Sequence, residues 1–157
     1  MCAGRIKGLI LGLIFVAVGL AVMFFFARVT ELECSRPEPS TVQCVKEIKW
    51  LGMLSMNKET IHDVRGAEVD ESCDEDGCTY RVRVIASRGD VPLTGYYSSG
   101  RSAKERTADQ INAYVAQGGR EPLTVSDGSV ILGILFGGAF AVAGLIAAVA
   151  GVLGRVR

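Results

Sequence analysis

Charged residues are missing from two long stretches of this sequence, and histidine is almost missing from all of it. Residues 8–27 and 128–154 hold no Asp, Glu, Lys or Arg over twenty and twenty-seven positions. This absence excludes an ion or proton pathway built from ionisable groups within either stretch. The one histidine, His62, is followed by Asp63, but neighbours in a strand point to opposite faces, which argues against a catalytic dyad.

The length of the two uncharged stretches predicts two transmembrane helices, over residues 8–28 and 128–154. At a rise of about 1.5 Å per residue, each stretch reaches or exceeds a hydrocarbon thickness of about 30 Å. Backbone groups in lipid must be paired within their own segment, so an apolar run of this length is expected to be helical. The alternative, two buried core helices, would leave the rest of the chain too polar to cover them.

The formal net charge of zero conceals an uneven distribution. Residues 28–127 carry all seventeen acidic residues and thirteen basic ones, a net charge of −4. The two tails hold only basic residues, at Arg5, Lys7, Arg155 and Arg157. Nucleic-acid and anionic-lipid binding need clustered Lys and Arg, so the acidic middle segment argues against both partners.

The first apolar stretch resembles a signal peptide because Arg5 and Lys7 precede it. Two features favour a retained helix instead. The stretch is longer than a typical signal-peptide core, and phenylalanines at 24–26 occupy the place where small residues would precede a cleavage site. Cys2, ahead of the stretch, is expected to be a free thiol, with S-acylation as the alternative.

Cysteine placement indicates which side of the membrane the middle segment faces. Cys34 with Cys44, and Cys73 with Cys78, form two closely spaced pairs. Even numbers at short spacing suit disulfides, which persist in oxidising compartments. The basic residues agree, with four in the tails and three near the ends of the middle segment, at Arg28, Arg36 and Arg120. We therefore expect cytoplasmic tails (1–7 and 155–157) and a periplasmic or lumenal domain (29–126).

Sequential pairing is the most economical of the three possible disulfide connectivities. Cys34 and Cys44 flank a loop with two prolines, and Cys73 and Cys78 flank a segment that ends in an Asp-Gly turn signal. A four-cysteine zinc site is the rival hypothesis. The nine residues between Cys34 and Cys44 miss its usual spacing of two to four.

The middle segment alternates short β-rich runs with turn residues up to about residue 97. Four of its strands can be placed, over residues 41–50, 60–69, 79–86 and 91–97. One soluble helix is predicted over residues 102–117. Ser102 and Glu105 have capping-box spacing at its start; its apolar stripe and C-terminal stops are Ala108, Ile111, Val115, Gly118 and Gly119.

This order of elements predicts an α+β membrane protein, in which two transmembrane helices flank a small antiparallel β domain of five to seven strands. The C-terminal amphipathic helix would close the domain by burying its stripe against the sheet or the open end of a small barrel. The order is similar to the pleckstrin-homology-type (PH-like) split barrel, with a simple meander as the alternative. The similarity is one of architecture, and fold does not imply function.

A family resemblance is carried by GAEV at 66–69, DGCTYRV at 76–82, VPLTGYYSSG at 91–100 and DQINA at 109–113. Over about residues 30–118 the chain resembles uncharacterised membrane proteins that are common in cyanobacteria. The resemblance implies a cyanobacterial host and a plasma or thylakoid membrane. It carries no activity and no catalytic residue.

The acidic run at 70–76 is the best metal candidate in the sequence. With Gly77 at the sixth position of an EF-hand loop, the twelfth position is Arg83 instead of glutamate, so the motif fails. A calcium contact through Asp74 and Asp76 stays open beside a plain solvated turn. The turn at 95–100 precedes a helix but fits no phosphate-loop pattern. The sequence predicts no catalytic residue and no cofactor, and we expect no enzyme activity.

Small residues four apart suggest how the two long helices pack. Glycine and alanine at this spacing share one helix face and let backbones approach closely. We expect the Ala/Gly face of the second helix to lie between the two helices. The candidate positions are Gly8, Gly12, Ala17 and Ala21 in the first helix and Gly133, Gly137, Ala139, Ala143, Ala147 and Gly151 in the second.

Two functional hypotheses of different classes follow. In the first, the chain is a non-catalytic accessory or assembly subunit that docks on a larger membrane complex, photosynthetic or respiratory, through its helices and its soluble domain. In the second, it is a stand-alone membrane-anchored sensor that binds calcium or a lipid headgroup. Migration with a larger complex on a native gel would favour the first hypothesis.

Overall fold

The structure, a computed structural model, describes residues 3–118 and 121–153. Its elements run in the order α1 (Ala3–Phe26), β1 (Arg28–Glu38), β2 (Thr41–Trp50), β3 (Leu54–Ile61), β4 (Val64–Asp74), β5 (Gly77–Ala86), β6 (Val91–Pro92), α2 (Arg101–Gln117), β7 (Leu123–Gly128) and α3 (Val130–Leu153). They form two compact units. The helix unit comprises Met1–Val29, Trp50–Leu54 and Gly128–Arg157, and the β unit comprises Thr30–Lys49 and Ser55–Asp127. Cys2 and the predicted tail 155–157 lie outside the described residues.

The helix unit contains two helices that are long and apolar enough to span a membrane. Gly8–Phe26 has a mean hydropathy of 2.9 over 19 residues, and Val130–Val152 has 2.5 over 23 residues. At about 1.5 Å per residue these lengths match a hydrocarbon layer of about 30 Å. α1 begins at Ala3, so the described part of the predicted N-terminal tail is helical.

The β unit contains two sheets, one with the strand order β3-β2-β1-β7 and one with the order β4-β5-β6. β4 and β5 form an antiparallel ladder that runs from Val64 opposite Ala86 to Asp74 opposite Gly77. β5 alternates buried Val82 and Val84 with partly exposed arginines, which is the pattern of a strand with one face in the core. The α+β layout expected from the sequence, long helices flanking antiparallel sheet, is confirmed.

Helix α2 covers the second sheet and closes the core of the β unit. Its buried face, spaced three and four residues apart, is Lys104, Ala108, Ile111 and Tyr114. Asn112 fixes the helix to β4, because its side-chain oxygen accepts from the backbone N–H of Ala67 at 2.8 Å and its amide donates to the carbonyl of Ala67 at 2.9 Å. A Cβ at Gly66 would lie 2.7 Å from that side-chain oxygen, so a larger residue there would displace Asn112 from this contact.

Two predicted strands differ from those of the structure. The run at 60–69 is interrupted between β3 and β4 at His62 and Asp63, and Asp63 has a left-handed φ of 52°. The run at 91–97 keeps strand geometry only at Val91–Pro92, because the chain turns there: the hydroxyl of Thr94 donates to the carbonyl of Tyr96 at 2.8 Å. Periodicity did not indicate the break at residues 62–63, and it extended the last predicted strand into the turn predicted at 95–100.

The start of α2 differs from the expectation, whereas its end agrees with it. The capping box is wrong: the N-cap is Gly100 with a φ of 96°, no side chain caps the helix, and Glu105 accepts from Arg101 instead. The C-cap is Gly118, as predicted. The helix is not the last element of the domain, because β7 follows it and joins the first sheet beside β1. Val125, 5% exposed, anchors this short strand in the core.

Candidate functional site

The two long helices pack against each other as an antiparallel pair. Gly8 lies opposite Gly151, where an added Cβ would be 3.7 Å from the facing Cα, and Gly19 lies opposite Ala141. At the other end Gly133 lies opposite Ala27. The contact therefore extends over the full length of both apolar segments.

Backbone meets backbone along this interface. A Cβ added at Gly12 would lie 2.7 Å from the carbonyl oxygen of Gly144, and one added at Gly19 would lie 2.6 Å from the carbonyl oxygen of Gly137. An added Cβ at Gly144 would likewise lie 2.7 Å from the backbone nitrogen of Val16. Van der Waals contact requires about 3.5–4.0 Å, so only glycine permits this separation of the helices.

Some of the predicted packing positions lie between the helices and some do not. Five of them are at the interface, Gly8, Gly12, Gly133, Gly137 and Gly151, and Ala147 is half-buried. Four others are exposed on the outer surface of the pair, Ala17, Ala21, Ala139 and Ala143, so the expectation that the Ala/Gly stripe of the second helix lies between the helices is wrong at Ala139 and Ala143.

The reason is the pitch of the helix. Steps of four residues overshoot a turn of 3.6 residues by about 40° each, so a stripe with only that spacing rotates out of the interface. The actual contact mixes steps of three and four, through Gly137, Ala141, Gly144 and Ala148. Gly19 and Gly144, which also lie in the contact, were not among the predicted positions. Glycines seven apart, 12 with 19 and 137 with 144, are the signal that would have found them.

The outer surface of the helix pair is apolar throughout its length. Its large side chains are between 37% exposed, at Phe15, and 68% exposed, at Phe26 and Ile131. Among them stand the exposed alanines Ala17 and Ala21 on α1, with Ala139 and Ala143 on α3. Alanines four apart form a shallow depression between larger neighbours, the kind of surface on which another helix can pack in lipid.

The C-terminal end of α1 is capped by groups from two other places in the helix unit. The Arg28 side chain donates from Nε to the carbonyl of Phe24 at 3.1 Å, and its guanidinium lies 5.0 Å from the Phe24 ring centre. The backbone N–H of Leu51 donates to the carbonyl of Ala27 at 2.8 Å, and the indole N–H of Trp50 donates to that of Met23 at 3.3 Å. The last turn of α1 is therefore hydrogen-bonded to the turn between β2 and β3.

Both cysteine pairs have the sequential connectivity. Cys34 and Cys44 form a disulfide with a Cα–Cα distance of 4.0 Å, and both residues are fully buried in the core; we call this the buried bridge. Cys73 and Cys78 are opposite each other in the β4–β5 ladder and form the exposed bridge, again with 4.0 Å between Cα atoms. With their sulfurs bonded to each other, these four cysteines cannot form the alternative zinc site.

The acidic turn between β4 and β5 is a tight hairpin end. The Asp74 carboxylate accepts from the backbone N–H of Asp76 at 3.0 Å, an Asx turn that uses one of the candidate calcium ligands internally. Glu71 lies with the sulfurs of the exposed bridge in a cluster whose atoms are within 4.8 Å of one another. Disulfide sulfurs carry no thiolate charge, so this cluster is a poor metal site.

A cluster of charged side chains fixes the loop at 93–100 to the second sheet. It was not predicted from the sequence. Arg81, opposite Asp70 in the ladder, donates to the Asp70 carboxylate at 2.7 and 2.8 Å, and the hydroxyl of Tyr97 donates to the same oxygen at 2.8 Å. These bonds, first from Tyr97 and then from Arg81, lower the pKa of Asp70. The bond to Asp70 raises the pKa of Tyr97. The groups satisfy one another, which suits a structural role.

A second ion pair that the sequence did not reveal joins α2 to β7. The ammonium of Lys104 lies 2.5 Å from both carboxylate oxygens of Asp127, and the two side chains are only 6% and 14% exposed. Burial, followed by the negative charge of Asp127, raises the pKa of Tyr96. The pair is 23 residues apart in sequence, so no local pattern could have indicated it.

Among the described residues, the remaining polar side chains do not converge on a site that could carry out chemistry. His62 is exposed, and the carboxylate of the adjacent Asp63 accepts from Arg65 at 3.3 Å. The pKa of Asp63 is lowered by hydrogen bonds, first from Ser87 and then from Arg65. A small depression on the first sheet is lined by Glu31, Glu33, Val45, Glu47, Lys49 and Lys58. Lys49 pairs there with Glu31 on the neighbouring strand and with Glu47 on its own strand, as on a solvated face.

Comparison with known proteins adds no relative. No protein-family model, no curated protein and no solved structure matches this chain.

Proposed function

We propose that this chain is a non-catalytic accessory or assembly subunit of a larger membrane complex, held in the bilayer by α1 and α3. The observation that carries the proposal is the outer surface of the helix pair. The glycine faces of the two helices pack against each other. The alanine pairs 17 with 21 and 139 with 143, in contrast, are exposed among large apolar side chains. Such a surface suits lipid at most positions and a further helix at the alanines.

The cysteines support a proposal for the compartment that the β unit faces. The buried bridge lies within the core and the exposed bridge closes a hairpin end, and such pairs persist where the surroundings are oxidising. We therefore propose that the β unit faces the periplasm or a lumen and that both termini are cytoplasmic. The cyanobacterial resemblance extends the proposal to a plasma or thylakoid membrane and to a photosynthetic or respiratory complex. Two sheets with a covering helix support a PH-like arrangement, except that β7 follows the helix.

The proposal is tested by native electrophoresis of membranes solubilised in mild detergent. The unaltered chain is expected to migrate with a larger complex. Replacing the alanines by bulky residues, in Ala17→Ile with Ala21→Ile or in Ala139→Ile with Ala143→Ile, is expected to release it. The matched control is Leu13→Ile with Leu20→Ile, at positions 57% and 54% exposed that already carry large side chains.

Two results would contradict the proposal. The first is an unaltered chain that migrates alone in every mild detergent. The second is co-migration that both alanine double variants leave unchanged, because docking would then not use the helix surface.

The alternative function is a calcium sensor, favoured only by the exposed acidic turn with Asp74 and Asp76. It predicts that calcium raises the melting temperature of the full chain and that Asp74→Asn with Asp76→Asn removes the rise. An unchanged melting temperature at millimolar calcium would reject this alternative.

A further inference from the structure

The turn between β2 and β3 is apolar in a place where hairpin turns are normally polar. Its sequence is Trp50-Leu51-Gly52-Met53-Leu54, and Met53 and Leu54 are 79% and 58% exposed. We refer to these five residues as the apolar tip. Exposed hydrophobic side chains are common singly, but several together at one turn mark a contact surface.

The backbone conformation of the apolar tip is one that leucine does not favour. Leu51 and Gly52 both have left-handed φ values, 53° and 71°, and the N–H of Met53 donates to the carbonyl of Trp50 at 3.1 Å. This is a two-residue hairpin turn of the primed type, whose first central position favours Asn, Asp or Gly. Leucine there is strained by its Cβ, so turn geometry does not explain its presence.

Hydrogen bonds place the apolar tip beside the last turn of α1. The backbone N–H of Leu51 donates a hydrogen bond to the carbonyl of Ala27, just past the helix. The indole N–H of Trp50 donates one to the carbonyl of Met23. Met23 lies three residues inside the end of the apolar segment Gly8–Phe26, a depth of about 4–5 Å at 1.5 Å per residue. Arg28 and Trp50 at this level are of the residue types that mark a membrane–water interface.

We propose that the apolar tip inserts into the interfacial layer of the lipid bilayer and forms a third membrane contact next to the two helices. The occupant of this exposed surface is lipid, because the tip continues the apolar surface of α1 at the depth of its last turn. The inference rests on the proposed membrane crossing of α1 and α3 and goes beyond the proposed function, since it needs no partner protein.

The test uses the full chain reconstituted alone in phosphatidylcholine nanodiscs. All labelled variants carry Cys2→Ser, and a single environment-sensitive fluorophore is attached to Met53→Cys. The polar control is Asp76→Cys, at the tip of the acidic hairpin, and the mid-span control is Val142→Cys, near the middle of the apolar segment Val130–Val152 at an outward position that is 57% exposed. Lipids brominated near the headgroup or deep in the acyl chains serve as quenchers.

The expected result is that the label at Met53 emits to the blue of the label at Asp76 and is quenched best by lipids brominated near the headgroup. The label at Val142 should be quenched best by deeply brominated lipids. Emission at Met53 equal to that at Asp76, with Val142 still quenched, overturns the inference but leaves the membrane crossing intact. Loss of quenching at Val142 as well rejects the crossing itself.

A measurement without substitutions keeps the inference testable if a variant does not fold. Trp50 is the only tryptophan, so its quenching by brominated lipids in the unaltered chain reports the depth of the tip directly. Leu51→Asn supplies the converse perturbation, because asparagine suits the turn better but is polar. We expect it to shift the Trp50 emission to the red; an unchanged emission, together with absent quenching, overturns the inference.

Discussion

Gly137 and Gly138 are adjacent on α3 and differ mainly in the space that a side chain would meet. A Cβ at Gly137 would lie 2.6 Å from the carbonyl oxygen of Gly19 and still closer to the side chain of Met23, whereas a Cβ at Gly138 would meet nothing within 4 Å. Replacing each by alanine therefore adds the same methyl group once inside the helix contact and once outside it.

The expected energies follow from two opposing effects. Alanine favours a helix over glycine by about 1 kcal/mol, and this gain is the same at both positions. At Gly137 the methyl group must also push the backbones apart, and overpacking of this kind costs about 1–3 kcal/mol. We therefore expect Gly138→Ala to be neutral or stabilising, and Gly137→Ala to be less stable than Gly138→Ala by about 1–3 kcal/mol.

The assay is reversible unfolding of the full chain in mixed micelles with increasing SDS, followed by the fluorescence of Trp50. This tryptophan is bonded to the carbonyl of Met23 on α1, so its emission responds when the helix unit opens. Equal stability of the two variants would refute the argument that backbone contact sets the separation of the helices. Gly19→Ala, on the opposite side of the same contact, should behave like Gly137→Ala.

Three further predictions concern the β unit. Lys104→Met leaves the Asp127 carboxylate buried and unpaired, so it should cost about 3–5 kcal/mol in thermal or urea unfolding, and adding Asp127→Leu should restore most of the loss. The pKa of Asp70 is lowered in the fold, so the stabilisation that the Asp70 carboxylate contributes is present above the ordinary aspartate pKa and is lost as pH falls through the folded-state value. Asp70→Asn should therefore lack this part of the acid destabilisation. An identical dependence of stability on pH in the variant and the unaltered chain would contradict the prediction. Mild reductant followed by alkylation and mass spectrometry should label the exposed bridge before the buried one, and simultaneous labelling would contradict the difference in accessibility.

Much of the architecture could be predicted because its signals are local. Long uncharged runs define α1 and α3, alternation defines β2 and β5, and the cysteine spacing indicated the bridges. A short strand such as β7 has too few residues for a periodic signal. Its place beside β1 is settled by burial of Val125 and by sheet pairing, which are properties of the folded chain.

The candidate site was less accessible to sequence reasoning. Which small residues of a helix face its partner depends on rotation about the helix axis. A spacing of four predicts both Gly137, which lies within the helix contact, and Ala139, which lies outside it. The pairs Asp70 with Arg81 and Lys104 with Asp127 need the strand register or the tertiary fold before they can be seen. The apolar residues 50–54 can be read from the sequence. Their position beside the last turn of α1 is a property of the fold.

The glycine contact also has a consequence for how the protein is made. Gly19 meets Gly137, so α1 must wait for more than a hundred residues to be synthesised before its partner exists. At 5–20 residues per second this delay is on the order of ten seconds. In the proposed membrane setting, the glycine face of α1 would be open to contact with other helices during that time. Fidelity of assembly therefore depends on synthesis rate and on the concentration of neighbouring chains, since another copy's α3 fits the same face.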